Sequence, residues 1–337
     1  MTVGPLHLSR DERYCADTFN GAVAAAALSA AWDIGLLEEL AEKDALDVHR
    51  FAAGRDVHLG AVRAILTALA SREIVVLDPV RKTASRGPGF EDAFKNRGFF
   101  YWLTRGCGEL FTDLTRLTLN SERADRGMNR DSRAISVACR SIARTFFDPP
   151  LRELLDGMSF TTVADLGCGS ADRIIMLAQQ WPSVRAVGID VAQGALAVSK
   201  EAVADAQLGH RITLVEDDVL TMAPRPEYRG VDLVTCFLMG HDFWPRENCI
   251  NTLRRIRQVF PNVRNLVLGD TCRSTDVHGT DLPMFTLGFE TVHAVMDQYL
   301  PTLEEWHSAI EESGWKRADE RLIDLPAFSF IFRLTPA

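Results

Sequence analysis

The chain has 337 residues, 47% hydrophobic and 25% charged, with a formal net charge of -9. That length predicts more than one domain, and the excess of acid disfavours nonspecific binding to nucleic acid or an anionic membrane. No apolar run approaches the roughly 18 residues that span a bilayer, and Met1 to Arg10 lack the basic head and apolar stretch of a secretory signal.

In chain order, residues 17–42 (DTFNGAVAAAALSAAWDIGLLEELAE) predict one alanine-rich helix. With Val23, Leu28, Trp32, Ile34, Leu36 and Leu37 it is too apolar for a free surface helix, which predicts packing in a two-fold interface. Two shorter helical patterns follow, Asp47 to Gly54 and Leu59 to Ser71, then a strand IVVLD (74–78), a turn at Pro79 and a second extended piece, RKTAS. Three helices and a ribbon make a winged-helix pattern, giving a domain over 1–95. Residues 96–158 read as a largely helical linker and lid. Phe99, Phe100, Tyr101 and Trp102 fit core or interface packing there, with a substrate-pocket wall as the alternative for all four.

From 159 to 337 the pattern changes. Short apolar strands, VADLG (163–167), VRAVGID (184–190), ITLVEDD (212–218), VDLVTCFLM (231–239) and RNLVLGD (264–270), alternate with helical stretches, among them the amphipathic NTLRRIRQVF. This is the signature of βαβ units and a parallel sheet. LEEWHSAIEESGW and FSFIFRL predict a last helix and an edge strand. The seven cysteines, Cys15, Cys107, Cys139, Cys168, Cys236, Cys249 and Cys272, are odd in number and form no Cys-x-x-Cys pair. They read as reduced thiols of a cytoplasmic protein rather than a disulfide framework or zinc site.

The segment Asp165-Leu-Gly167-Cys-Gly169-Ser-Ala171-Asp172 stands where the first of these strands turns into a helix. Glycines there let a ligand approach the backbone, and the helix start offers free amides. The dinucleotide fingerprint wants a third glycine where this chain has Asp172. Carboxylates at 165 and 172 repel a pyrophosphate and suit a ligand carrying an ammonium and a sulfonium. Asp190 ends the next strand, where a carboxylate can accept both ribose hydroxyls. Asp217 and Asp218 end the third and can meet an adenine amino group.

With the winged-helix start, DLGCGSADR, GID, EDDVL and LMGHDFW, nearly the whole chain resembles the small-molecule O-methyltransferase family of S-adenosylmethionine (SAM) enzymes. The resemblance implies an α/β, Rossmann-like doubly wound SAM-binding domain. Before it comes a mainly helical winged-helix domain that builds a homodimer and caps the active site without binding DNA. It assigns Asp165, Gly167 and Gly169 to the methionine end of SAM, Asp190 to the ribose, and Asp217, Asp218 and Val219 to the adenine. The family often has glycine where this chain has Ala171, a difference of one methyl group.

His241-Asp242-Phe243-Trp244 follows the fourth strand, at the sheet edge where α/β sites lie. In the family a histidine at this place takes a phenol proton, which makes His241, with Asp242 beside it, catalytic. The family's Gly-Arg-Glu-Arg-Thr stretch is missing. FETVHAVMDQYLPT stands there instead, so His293 occupies the region of the acidic helper. His241, His293 and Asp242 make up the ligand types of an iron(II) facial triad, although their spacing is compatible with anything. LMGHDFWPREN and FETVHAVMDQYLPTLEEW further resemble one branch of the family, the non-haem-iron phenylpyruvate C3-methyltransferases of antibiotic biosynthesis.

That likeness implies iron held by His241, His293 and a 2-oxo acid substrate, methylation at carbon, and Asp242 as ligand or outer partner. Met239 and Trp102 are expected at the substrate. Of Arg105, Arg126 and Arg144, Arg126 is the first choice for its carboxylate. The other readings are metal-free O-methylation of a phenolic natural product with His241 as base, and a winged-helix DNA-binding regulator.

Overall fold

The computed structural model describes residues 9–123, 129–275, 279, 282–323 and 328–337. The chain forms two compact units, one from residues up to 111 with 129–141, the other from 112–128 and 142–337. The helical stretch 96–158 is thus shared between the units instead of standing alone.

In the first unit the helix Arg10–Asp33 begins at a capping box, with Ser9 and Glu12 each satisfying the other's backbone N–H. The expected single helix over 17–42 is broken. Gly35 takes φ 72°, a left-handed conformation natural to glycine, and a separate helix Leu36–Glu42 follows. Leu28, Leu36 and Leu37 are buried in this unit's own core with Phe51, Leu66 and Phe90, so they are not available to an interface. The exposed apolar residues of the first helix are Tyr14, Phe19 and Val23. Helices Val48–Gly54 and Leu59–Ala70 are capped by Asp47 and His58. Strands β1 (Leu46–Asp47), β2 (Val75–Asp78) and β3 (Thr83–Arg86) form an antiparallel sheet in the order β1-β3-β2, which completes the winged-helix pattern. Among the described residues no single helix is long and apolar enough to cross a membrane. Arg10–Asp33 and Leu36–Glu42 pass that test only as a pair, bent by 76°.

The second unit is built on seven strands: β4 (Thr162–Leu166), β5 (Arg185–Asp190), β6 (Ile212–Glu216), β7 (Leu233–Phe237), β8 (Asn265–Thr271), β9 (Trp315–Ile323) and β10 (Ser329–Pro336). Their order is β6-β5-β4-β7-β8-β10-β9, parallel through β8 and antiparallel for the last two. β5 lies on one side of β4 and β7 on the other, so the sheet changes winding direction beside β4, the place where α/β proteins open a crevice for ligands. The central strands are buried along their length, around Leu166, Val234, Leu268, Phe330 and Trp306. The segment FSFIFRL is not the edge expected of it. It becomes β10, between β8 and β9, and the edge is WKRADERLI, whose charges suit a strand exposed on one side.

Candidate active site

Parallel register carries the sequence-predicted residues of the second unit to one sheet edge. Asp165 pairs with Gly188, Asp190 with Glu216, Leu166 with Cys236, and Phe237 with Gly269. The loops that follow β4, β5, β6 and β7 therefore emerge side by side.

The loop after β4 takes positive φ at Gly167 (67°), Gly169 (54°) and Ala171 (63°). A side chain at Gly167 would lie 2.5 Å from Met239 Sδ, so the absence of one lets Met239 pack onto the loop. Ala171 keeps the left-handed conformation a third glycine would adopt freely, at a cost on the order of 1–2 kcal/mol for its methyl. It caps the helix Asp172–Gln180. The Asp190 carboxylate accepts from Gly169 N–H (2.9 Å) and Ala192 N–H (2.9 Å), so it fixes this loop as well as its own. Asp217 accepts from the Tyr228 hydroxyl (2.9 Å) and pairs with Arg225 (2.8 Å). Asp218 accepts from Leu220 N–H and the Thr221 hydroxyl, and Val219 beside it is buried.

Asp165 is placed differently from its expected role. It is 1% exposed, accepts from Thr235 Oγ1 at 2.6 Å, and lies 3.6 Å from Arg173, which also reaches Asp148 at 3.6 Å. Burial pushes its carboxyl above the ordinary range, against the pull of Arg173 and Thr235. The carboxylate ties β4 to Thr235 on β7 and to Arg173 on the helix Asp172–Gln180. Asp172 is engaged by Ser170 and by Arg144, and Arg105 pairs with Asp33 at 3.5 Å. Trp102 is buried in the first unit at the start of a π-helical turn, Trp102–Gly106. Arg126 lies outside the described residues.

After β7 the chain makes a short 3₁₀ turn, Gly240–Phe243, carrying His241. Asp270, the fully buried penultimate residue of β8, holds that turn. It accepts from His241 N–H through Oδ2 (2.7 Å), from His241 Nδ1–H through Oδ1 (2.9 Å), and from Thr271 N–H (2.8 Å). Gly240 leaves room for it, since a side chain there would lie 2.9 Å from both Asp270 Oδ2 and Leu268 Cδ1. His293, on the helix Thr286–Val295, bonds through Nδ1 to the Phe289 carbonyl at 2.7 Å. A carbonyl only accepts, so Nδ1 carries the proton. The same holds for His241 facing a carboxylate, so in the neutral form of either ring the lone pair is on Nε2. The rings stand with centroids 5.0 Å apart and planes at 89°, and Phe289 lies 4.1 Å from His293 and 5.4 Å from His241.

The expected triad with Asp242 does not assemble. Asp242 is exposed and accepts from Gln298 Nε2, and among the described residues no group of three or more His, Cys, Asp or Glu gathers as a metal site. Successive residues of a 3₁₀ turn point about a third of a revolution apart, which sends Asp242 away from its neighbour's ring. The carboxylate the sequence reading missed is Asp270. Its one signal was its place at the carboxyl end of a strand next to that of His241.

Two imidazoles with Nε2 basic, one backed by a carboxylate and one by a carbonyl, are the donor set and outer partners usual for metal-bound histidine. Two nitrogen donors are fewer than a metal site needs, so an iron ion held here would take its remaining ligands from small molecules. The His241–Asp270 pair alone also fits a general base.

Residues 163–261 match the family described as methyltransferase domain. A methyltransferase of the fungus Aspergillus campestris, named ungE', is 39% identical over 332 residues, which is 96% of either chain. Human N-acetylserotonin methyltransferase, solved with SAM, shares the fold with a TM-score of 0.67 at 17% identity, over 99% of this chain and 100% of that one. The mitomycin 7-O-methyltransferase MmcR does so with a TM-score of 0.61 at 16% identity, over 97% and 98%. With a relative this similar along its whole length and a SAM-enzyme fold from end to end, the chain belongs to the SAM-dependent methyltransferases.

Proposed function

We propose that this enzyme methylates C3 of a 2-oxo acid, phenylpyruvate in the first instance, to 2-oxo-3-phenylbutanoate, an antibiotic-precursor reaction, with iron held by His241 and His293. The observation that carries the reading is the pair of adjacent imidazoles, each with Nδ1 committed as donor and Nε2 as the basic nitrogen. A 2-oxo acid presents a ketone and a carboxylate oxygen side by side, the two donors that a two-histidine site lacks. Iron bound there supplies Lewis acidity, which polarises the ketone and makes C3 acidic.

The chain's own contribution is alignment and shelter. Asp270 fixes the plane of the His241 ring, and the Phe289 carbonyl fixes that of His293. Phe289 stands beside the pair and Phe285 lies 5.3 Å from it, aromatic faces that suit a phenyl group. On the cofactor side, Gly167 and Gly169 give backbone access for the methionine end of SAM, and Asp165 anchors the end of β4 from which that loop leaves. Asp190 takes the ribose, and Asp217, Asp218 and Val219 take the adenine. Met239, packed against Gly167, is the proposed substrate contact next to the cofactor loop. Trp102 and Arg126 remain the proposed substrate contacts from the helical region. Phe19 and Val23, exposed and four residues apart on one side of the first helix, give a homodimer its apolar face; light scattering of Phe19→Asp against the parent tests it, and a monomeric parent at micromolar concentration removes the dimer.

The His241–Asp270 pair supports a second reading, metal-free O-methylation of a phenol with His241 as base. One experiment separates them. Protein stripped of metal with a chelator is assayed with SAM and phenylpyruvate, with and without iron(II), and the methylated atom is located by NMR. Iron-dependent methylation at carbon is expected; full activity in metal-free protein ends the iron reading.

A further inference from the structure

A cavity of about 300 Å³ lies between the helix Arg246–Val259 and the turn after β7. That is the small end of the range for small-molecule sites. One side of the helix is apolar and buried, through Cys249, Ile250, Leu253, Ile256 and Val259. Asn248, Asn251, Thr252 and Arg255 recur at the spacing of a single helix face and line the cavity together. Leu220, Asp242 and Phe243 line it from outside the helix.

The charges on this cavity are unmatched. The other arginines of the helix are engaged: Arg246 with Glu312 (2.7 Å), Arg254 with the Glu312 carbonyl (2.9 Å), and Arg257 with the Gly314 carbonyl (2.8 Å). Arg255 has a buried Nε with no hydrogen-bond partner and no carboxylate within ion-pair distance among the described residues. Asp242 accepts only from the neutral Gln298 amide, with no cation paired to it among the described residues. A buried guanidinium nitrogen left unsatisfied is costly unless something fills its place, and a carboxylate is its best geometric match. A ligand that answers both groups carries an anion and a cation on one small frame.

We propose that this cavity is a binding site for a small α-amino acid, its carboxylate on Arg255, its ammonium toward Asp242, and the Asn248 and Asn251 carboxamides on its remaining polar edge. The inference stands apart from the substrate reading, because none of its helix residues belongs to the reacting centre. Asp242 directly follows His241, and Leu220 directly follows Val219. An amino acid in the cavity therefore bears on the reacting turn and on the cofactor loop at once, which suits an effector of methyl transfer.

The test is titration calorimetry on the full chain saturated with SAM, using glycine, L-alanine, L-phenylalanine and, as a carboxylate without an ammonium, 3-phenylpropanoate. At least one amino acid is expected to bind, more tightly than 3-phenylpropanoate where the skeletons match. Arg255→Gln should weaken it at least tenfold with SAM affinity unchanged, and Asp242→Asn should remove the preference over 3-phenylpropanoate. No binding by any of the three amino acids, or undiminished binding to Arg255→Gln, overturns the site. Equal binding of 3-phenylpropanoate and L-phenylalanine overturns the amino-acid assignment. Loss of SAM affinity in Arg255→Gln also overturns it, by making the cavity part of the adenine pocket.

Discussion

The rings of His241 and His293 stand 5.0 Å apart at 89°, although one rides a turn after β7 and the other a helix 52 residues later. Each is held through Nδ1, by Asp270 and by the Phe289 carbonyl. Neither ring can turn away without abandoning a hydrogen bond in a buried setting, so the arrangement is preorganised.

The first prediction follows from that pairing. If both rings bind iron, His293→Ala is as damaging as His241→Ala, since a single imidazole holds the ion too weakly. Iron per chain, measured by elemental analysis after gel filtration, should fall close to zero in either variant, and methylation of phenylpyruvate should fall with it. As a metal-free base, His241 would be needed alone: His293→Ala would keep substantial activity and the metal content would be immaterial.

Asp270 gives the second prediction. Asp270→Asn keeps the size but turns one acceptor into a donor facing His241 N–H, His241 Nδ1–H or Thr271 N–H. Losing an outer partner of a metal-bound histidine typically lowers metal affinity or activity about 10–100-fold. A buried donor left facing a donor costs on the order of 1–3 kcal/mol in stability. Cobalt(II) titration followed in the visible, beside a urea melt, separates the two effects. An unchanged cobalt spectrum and affinity would reduce Asp270 to a structural residue.

These residues mark what the sequence made legible. Asp190, Asp217 and the glycine loop follow directly from strand ends, because a parallel sheet delivers every strand end to one edge. Asp270 is one residue short of its strand's end, but pairing it with His241 needs the β7–β8 register, Phe237 opposite Gly269, which no local pattern records. Asp242 attracted attention by adjacency alone, and adjacency in a turn separates side chains. The break at Gly35 was masked by alanines with strong helix preference on its amino-terminal side. β9 reads as charge rather than strand because it is an edge.

The third prediction concerns the cofactor. Asp190→Ala removes the proposed ribose acceptor and also the anchor of the Gly169 and Ala192 amides. Hydrogen bonds to a charged group are each worth roughly 1.5–3 kcal/mol, so SAM affinity should fall at least tenfold by calorimetry. Asp190→Asn keeps one acceptor and should lie between the two. Parent-like SAM affinity in folded Asp190→Ala would remove Asp190 from the site.

The last prediction is a pH dependence set by buried thiols. Burial pushes Cys107, Cys249 and Cys272 from 9.0 up to about 12. In the unfolded chain these thiols ionise near their ordinary value, while in the folded chain they stay protonated. Below pH 9 both states hold the proton and the shift has no effect on stability. Between about 9 and 12 the unfolded state alone releases it, so stability is lost as pH rises, by about 1.4 kcal/mol per pH unit for each thiol. Urea melts at pH 8 and pH 10 should show the loss. Cys249→Ala should make it shallower by one thiol's share, measured against its own stability at pH 8. A native thiol titration at pH 8 should find exposed Cys15 reactive, and Cys107, Cys249 and Cys272 should react only on unfolding. If Cys249→Ala and the parent lose stability equally between pH 8 and pH 10, Cys249 is not protonated behind a folded core at alkaline pH, and this account of its burial is wrong.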